Sequence, residues 1–371
     1  MRKKMIIVII STVMTISLLV GCENRNEQED NQNFEQQEIA LYASIAPTYN
    51  DCAAAVTIIS DDGFYETGLC LNNLAMKYDM KITVAGAVSI VNENLSGWKD
   101  IVNQGHIELI SHSYDHIKMD EASEISNDED ALYHQIVDAD KWFEDNFGTE
   151  QFVFVCPENY MCDLGYDILE KNGFYAVRRG QRGYNMLSPL EGRNSFEWYS
   201  LGCQGIGDVN TTQERNEKID YAIANKSWLI EMWHDVTDED NGHYQWISTE
   251  DADAHLFYIA YQRDNGNNLW VASFNDAVKY FKEKENSCVD AILENDQILI
   301  KATYDNQVLD ESIFNFPLTI KVQLPKENDM YLKDYFNNDI LCKKHVDDSG
   351  NWYLLVNCVP NQGITTINMN K

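Results

Sequence analysis

From Cys52 to Ser60 the chain reads Cys-Ala-Ala-Ala-Val-Thr-Ile-Ile-Ser without a single charge, and then breaks into Asp61-Asp62-Gly63. A short apolar run that does not alternate, and that turns β-branched toward its end, is expected to be a strand buried on both faces. Such strands belong to parallel sheets covered by helices. The chain repeats this theme as far as residue 285. Helical spacing runs over 68–78, 97–104, 131–147, 163–172, 213–225, 251–264 and 274–285, and apolar strand-like runs over 81–91, 106–111, 151–156, 174–178, 227–233 and 269–273. Strands alternating with helices predict a parallel α/β arrangement.

The polar residues that punctuate the strands matter most. Asp61-Asp62, His112, Pro157 and His234 all fall at or just after the C-terminal end of a predicted strand, where parallel α/β folds gather their chemistry. His112 and His116 are four residues apart, a spacing that puts both imidazoles on one face if the segment is a helical turn. Two imidazoles, the Asp62 carboxylate and a water suit zinc or a similar divalent ion, with cobalt, manganese and nickel as alternatives. A metal in such a site acidifies its water and polarises a carbonyl. Asp61, beside a ligand, is placed to act as base, and His234 to give a proton to the leaving group. Each piece alone has an ordinary explanation. Asp-Asp-Gly is commonly a turn, and a lone histidine after an apolar strand is commonly structural. The ordered set, each member at a strand end, is what points to metal-assisted hydrolysis of an amide or ester.

These segments resemble the motifs of the polysaccharide deacetylases with a NodB-homology domain. Ile59-Ser60-Asp61-Asp62-Gly63 is similar to Thr-Phe-Asp-Asp-Gly, and His112-Ser113-Tyr114-Asp115-His116 matches His-Ser/Thr-x-x-His. Phe154-Val155-Cys156-Pro157 resembles the Phe-Ala-Tyr-Pro of one branch, and 228–234 an apolar run ending in His. The resemblance covers roughly 50–285. It implies a distorted (β/α) barrel and removal of N-acetyl, or in some members O-acetyl, groups from glycans. Asp61 would be the base, His234 the acid, and Asp62, His112 and His116 the metal ligands, with Ser113 orienting a ligand. The chain departs from the commoner pattern at Val155, which stands where an arginine orients the base. Arg178 or Arg179 would supply that cation instead. Glu158, after Pro157, is unusual and would either bind an amino sugar or face solvent. Trp198 and Asp208 are weak candidates for a further family motif.

The ends of the chain read differently. Arg2-Lys3-Lys4, an apolar run to Val20 and Leu19-Val20-Gly21-Cys22 resemble a bacterial lipoprotein signal, so 1–21 is expected to be removed and Cys22 lipidated. This predicts an exported protein anchored in a lipid bilayer through Cys22, at the cell surface or in the periplasm. Residues 22–48 read as a flexible acidic tether, 49–285 as the catalytic domain, and 286–371 as a small sandwich-like all-β domain. Asp348-Ser349-Gly350-Asn351 is a hairpin signal in that last region. Trp352, Tyr353 and Tyr331 are possible sugar platforms there, although packing on the enzyme is the favoured role. The spacing of the cysteines assigns no pairs. A formal net charge of -32 excludes nucleic acid as a partner, and no protein partner is implied.

The expected partner is an acetylated glycan. Two other functions compete. A non-catalytic glycan-binding surface lipoprotein would keep the scaffold, but the intact ligand and acid–base set argues against decay. A metal-free glycosidase needs two carboxylates at about 5 Å or more across a glycosidic bond, which adjacent Asp61 and Asp62 do not easily provide.

Overall fold

The computed structural model describes residues 38–368 except 150, 189–195, 208, 210, 240–242, 267, 325–341 and 347–349. The signal-like segment, Cys22, most of the tether, Asp208 and Tyr331 lie outside the described residues. No described helix is long and apolar enough to cross a membrane.

The core is a parallel barrel. Its strands, in chain order, are Ala54–Ser60, Ile82–Gly86, Ile107–Ser111, Val153–Val155, Ala176–Arg182, Leu201–Gly205, Ser227–Trp233 and Leu269–Val271. The first seven lie side by side in the order third, second, first, seventh, sixth, fifth, fourth, and the short eighth pairs with the beginning of the first. The third and fourth strands, at the two ends of this path, lie against each other. Side chains bridge the seam, with Gln151 Oε1 accepting the Ser111 N–H at 3.1 Å and His112 Nδ1 meeting the Val155 carbonyl at 2.8 Å. The result is a nearly closed, distorted barrel wrapped in helices, as expected.

The period of two along each strand decides what enters the mouth. Ala55 and Ile59 point into the barrel, while Ala54, Val56 and Ile58 pack outward against helices. The same parity makes Ile110, Val153, Val155, Ala176, Ile230 and Met232 inward residues. Continuing it by two places beyond Ile59, Ile110, Ala176 and Met232 reaches Asp61, His112, Arg178 and His234. Four chemically active side chains are therefore sent to one opening by strand geometry alone.

Beyond residue 286 two four-stranded antiparallel sheets share one core through Ile298, Ile300, Ile320, Val322, Leu354 and Val356. Strands 342–346 and 352–358 pair antiparallel, in keeping with the hairpin signal between them. The tether boundary at 48 needs correction. Ile39–Leu41 pairs with Ser287–Glu294 in one sheet, and Ala43–Ile45 with Leu318–Gln323 in the other. The acidic, polar composition ends at Glu38; residues 39–45 read Ile-Ala-Leu-Tyr-Ala-Ser-Ile, and Leu41, Ala43 and Ile45 pack on the core. The sandwich is therefore built from both ends of the described chain.

The sandwich sits against the N-terminal ends of the barrel strands, away from the mouth. Trp228 and Trp270, at strand beginnings, belong to the same core as Tyr280, Phe281 and the sheet residues. Tyr49 and Phe316 pack on Trp270 at 5.8 and 6.0 Å between ring centroids. Tyr353 is not a bare platform, since Lys321 lies 5.4 Å over its ring. Trp198 is also a packing residue, buried and donating to Glu285 at 2.9 Å.

Candidate active site

Hydrogen bonds that extend the barrel ladder past the strand ends fix the loops at the mouth. Asp61 N–H donates to the Trp233 carbonyl at 2.9 Å, Ala87 N–H to the Asp62 carbonyl at 3.0 Å, and His112 N–H to the Gly86 carbonyl at 2.9 Å. Ser60 Oγ donates to the His234 carbonyl at 2.8 Å. Asp62 has φ 77°, a left-handed conformation that costs a non-glycine residue energy and concentrates at functional sites. Gly63 follows at φ 89°, and a Cβ there would lie 2.8 Å from Gly86 Cα. Only glycine fits, which accounts for the third letter of Asp-Asp-Gly.

His112 and His116 do come together, their rings 4.9 Å apart, but not by the expected route. Residues 112–116 form a bent loop rather than a helical turn, with Ser113 at φ 72° and His116 at φ 54°. Ser113 Oγ accepts the His116 N–H at 3.0 Å, so this serine shapes the loop that presents the imidazole. Asp62 Oδ1 lies 3.1 Å from His116 Nε2 and 3.9 Å from His112 Nε2. One donor atom from each of Asp62, His112 and His116 falls within 4.8 Å of the other two.

The donor chemistry fits a divalent ion. A carbonyl can only accept, so the Val155 carbonyl keeps the His112 proton on Nδ1 and leaves the Nε2 lone pair free. Burial pushes His112 down to about 4, against the smaller opposing pull of Asp61, so the ring is neutral, as a ligand must be. Burial alone would raise the Asp62 carboxyl. The His116 hydrogen bond and the nearby imidazoles outweigh it and bring Asp62 to about 2.

Beside this trio stands Asp61, 4 % exposed. The guanidinium of fully buried Arg178 donates to its Oδ2 at 2.7 Å, while Oδ1 has no hydrogen-bond partner. Arg179, one residue on and of opposite parity, lies 5.3 Å over the Tyr160 ring. Of the two candidate arginines, Arg178 is the one at Asp61. His234 completes the set, with Nδ1 unpartnered and the ring edge-on to Tyr244 at 5.0 Å.

Together Asp61, Asp62, His112, His116 and His234 line a cavity of about 430 Å³, with Cys156, Glu158, Asn159 and Tyr244. Sequence reasoning had not placed Cys156, Asn159 or Tyr244 here. Glu158 and Asn159 follow Pro157 with φ of 54° and 75°, two left-handed residues in a row that no residue type signals. Burial pushes the Cys156 thiol up to about 12, so it stays protonated and is no nucleophile at neutral pH.

Residues 49–177 match the family model described as polysaccharide deacetylase. No curated protein matches the chain. Solved structures that it resembles include the Xyl-CE4 domain of a multidomain xylanase from the hindgut metagenome of Trinervitermes trinervoides, at 18 % identity, TM-score 0.41, over 60 % of this chain and 88 % of that one. Another is an assigned polysaccharide deacetylase of Mycobacterium smegmatis, at 14 % identity and TM-score 0.46, over 66 % and 96 % of the two chains. A third is a CE4 family pseudoenzyme from Bacillus anthracis, at 16 % identity and TM-score 0.41, over 59 % and 63 %. The matched residues, 49–177, carry Asp61, Asp62, His112 and His116.

Proposed function

We propose that this chain is a metal-dependent hydrolase that removes acetyl groups from a polysaccharide or oligosaccharide, with the N-acetyl amide as the first choice of bond and the O-acetyl ester as the second. The observation that carries this reading is the Asp62, His112, His116 trio beside Arg178-held Asp61, with His234 lining the same cavity. Asp62, His112 and His116 would hold the ion, zinc before cobalt, manganese or nickel. When bound, a divalent ion there supplies Lewis acidity toward the acyl oxygen and lowers the pKa of a water.

The chain's own residues do the rest. Asp61 Oδ1 is the free carboxylate oxygen and takes the proton of the attacking water, while Arg178 fixes Oδ2 so that the base cannot turn away. The amine or alkoxide leaving group needs a proton as its bond to carbon breaks, and His234 gives it. Such base and acid groups contribute about 10²–10⁴-fold each. The cavity's volume suits one sugar residue with its acyl arm. We also propose that the protein works outside the cytoplasm, held to a membrane by lipid on Cys22.

The test is acetate release by the purified protein from acetylated chitin oligosaccharides, peptidoglycan fragments and acetylxylan, with zinc, cobalt or a chelator, against Asp61→Ala. Metal-dependent release that the substitution abolishes supports the reading and names the substrate class. Glycan binding that survives Asp61→Ala, with no turnover by the intact protein on any substrate, replaces it with the binding-protein reading.

A further inference from the structure

The 112–116 loop contains two residues of positive φ, Ser113 and His116, and so lacks the repeating hydrogen bonds of a helix or strand. Its rigidity has to come from elsewhere. Val88 and Ser89 N–H hold the Ser113 and Tyr114 carbonyls at 3.1 and 2.8 Å, and further support comes from the helix over 129–147, which is interrupted by a π-helical turn at His134–Asp138. Ala139 N–H, which in an unbroken α-helix would bond the Gln135 carbonyl, bonds Ile136 instead. The Gln135 carbonyl accepts Tyr114 N–H at 3.1 Å. Its side chain continues the clamp, with Oε1 accepting Asp115 N–H at 2.9 Å and Nε2 donating to Asp115 Oδ2 at 2.8 Å. His134, in the same turn, lays its ring 4.3 Å from that of Tyr114. One residue, 3 % exposed, thus makes three hydrogen bonds to the two residues next to His116. A buried helix position would ordinarily take an apolar side chain, and π-turns are rare and frequent at functional sites. Here the turn aims a buried amide and a carbonyl at the ligand loop.

We propose that Gln135 is a positioning residue for the metal site, setting the 112–116 loop so that His112 and His116 are held ready for one ion. The inference rests on the metal-site reading above. It assigns Gln135 an effect on metal affinity that a residue serving only to stabilise the fold would not have. Residues that orient metal ligands typically change affinity by about 10–100-fold when removed.

The experiment is zinc affinity by competition with a chromophoric chelator, on the whole protein and on Gln135→Leu, alongside the thermal midpoint of each metal-free form. Gln135→Leu keeps the size of the side chain and removes both of its hydrogen bonds. The expected result is zinc binding weaker by about 10–100-fold, with the zinc-free midpoints close together. Should Gln135→Leu fail to fold, Asp115→Ala removes the Gln135 Nε2 bond together with the Asp115–His134 contact at 3.7 Å, and weaker zinc binding than in the intact protein is expected. Unchanged zinc affinity in the variant, whatever its midpoint, overturns the proposal. An intact protein that binds no more zinc than His116→Ala overturns the metal-site reading and this inference with it.

Discussion

Arg178, on the fifth barrel strand, donates to Asp61, at the end of the first, across 2.7 Å and almost wholly out of water. The two residues are 117 positions apart in the chain, and Val155 stands where the family resemblance would have put an arginine. Val155 and Arg178 are register partners on the adjacent fourth and fifth strands.

Removing that guanidinium should affect catalysis and stability together. Arg178→Ala is expected to lower kcat by about 100-fold with little change in KM, because Arg178 touches the base and not the substrate. It also leaves a buried carboxylate unpaired, which costs about 3–5 kcal/mol. Arg178→Met combined with Asp61→Asn should recover stability but not activity, as read by denaturant unfolding and acetate release. Wild-type kcat in Arg178→Ala would remove Arg178 from the mechanism.

His112 should take stability from the metal-free protein on mild acidification. Burial lowers His112 from 6.5 to about 4, so between these values the unfolded chain binds a proton that the folded chain does not. The contribution is fully present above about pH 6.5 and is lost as pH falls toward 4, on the order of 3 kcal/mol. Asp62, lowered from 3.8 to about 2, adds a loss of the same sign at lower pH. Burial pushes Glu283 up to about 8 and the Asp62 hydrogen bond raises His116, and both act in the opposite sense, so the His112 share is read as the difference between metal-free wild type and His112→Gln in urea midpoint at pH 7 and pH 4.5. Relative to wild type, His112→Gln should gain stability as pH falls from 7 to 4.5, and a difference that does not change with pH would place the proton elsewhere.

Barrel and sandwich should unfold as one. Tyr49, Trp270, Tyr280 and Phe316 form a continuous aromatic contact between them, and Ile39–Ile45 supplies an edge to each sheet. Calorimetry is expected to record one transition for the intact protein. A fragment of residues 49–285 should aggregate, since Trp270 and Tyr280 lose their cover. Two separated transitions, or a soluble 49–285 fragment of full stability, would argue against a shared core.

The lipid anchor has a direct test. Palmitate labelling of the whole chain in a bacterial host should be lost in Cys22→Ser, with the protein moving from the membrane to the soluble fraction. Labelling that persists would rule out Cys22 as the site.

Much of this was legible in the sequence, and the exceptions have physical causes. Buried strands announce themselves by uninterrupted apolar runs, so Asp61, Asp62, His112 and His234 were located by where those runs stop. The sixth strand, Leu201–Gly205, gave no such signal, because Leu-Gly-Cys-Gln-Gly has two glycines and no β-branched residue. Arg178 and Arg179 could not be separated because Ala176 and Val177 are both apolar, which leaves the inward parity undetermined until the strands are paired. The four-residue spacing of His112 and His116 is compatible with a helical turn, and the loop that 112–116 forms instead, with Ser113 and His116 at positive φ, is not legible because spacing reports proximity but not φ. Cys156, Asn159 and Tyr244 reach the cavity through backbone conformation and loop path, which residue type does not encode.

The most direct test of the central claim is a titration of zinc into metal-free protein while acetate release from an acetylated oligosaccharide is followed. The account predicts no release at the start, a rise that breaks at one ion per chain, and no rise in His116→Ala. Full activity in the chelated protein, or activation by zinc that His116→Ala leaves intact, would contradict it.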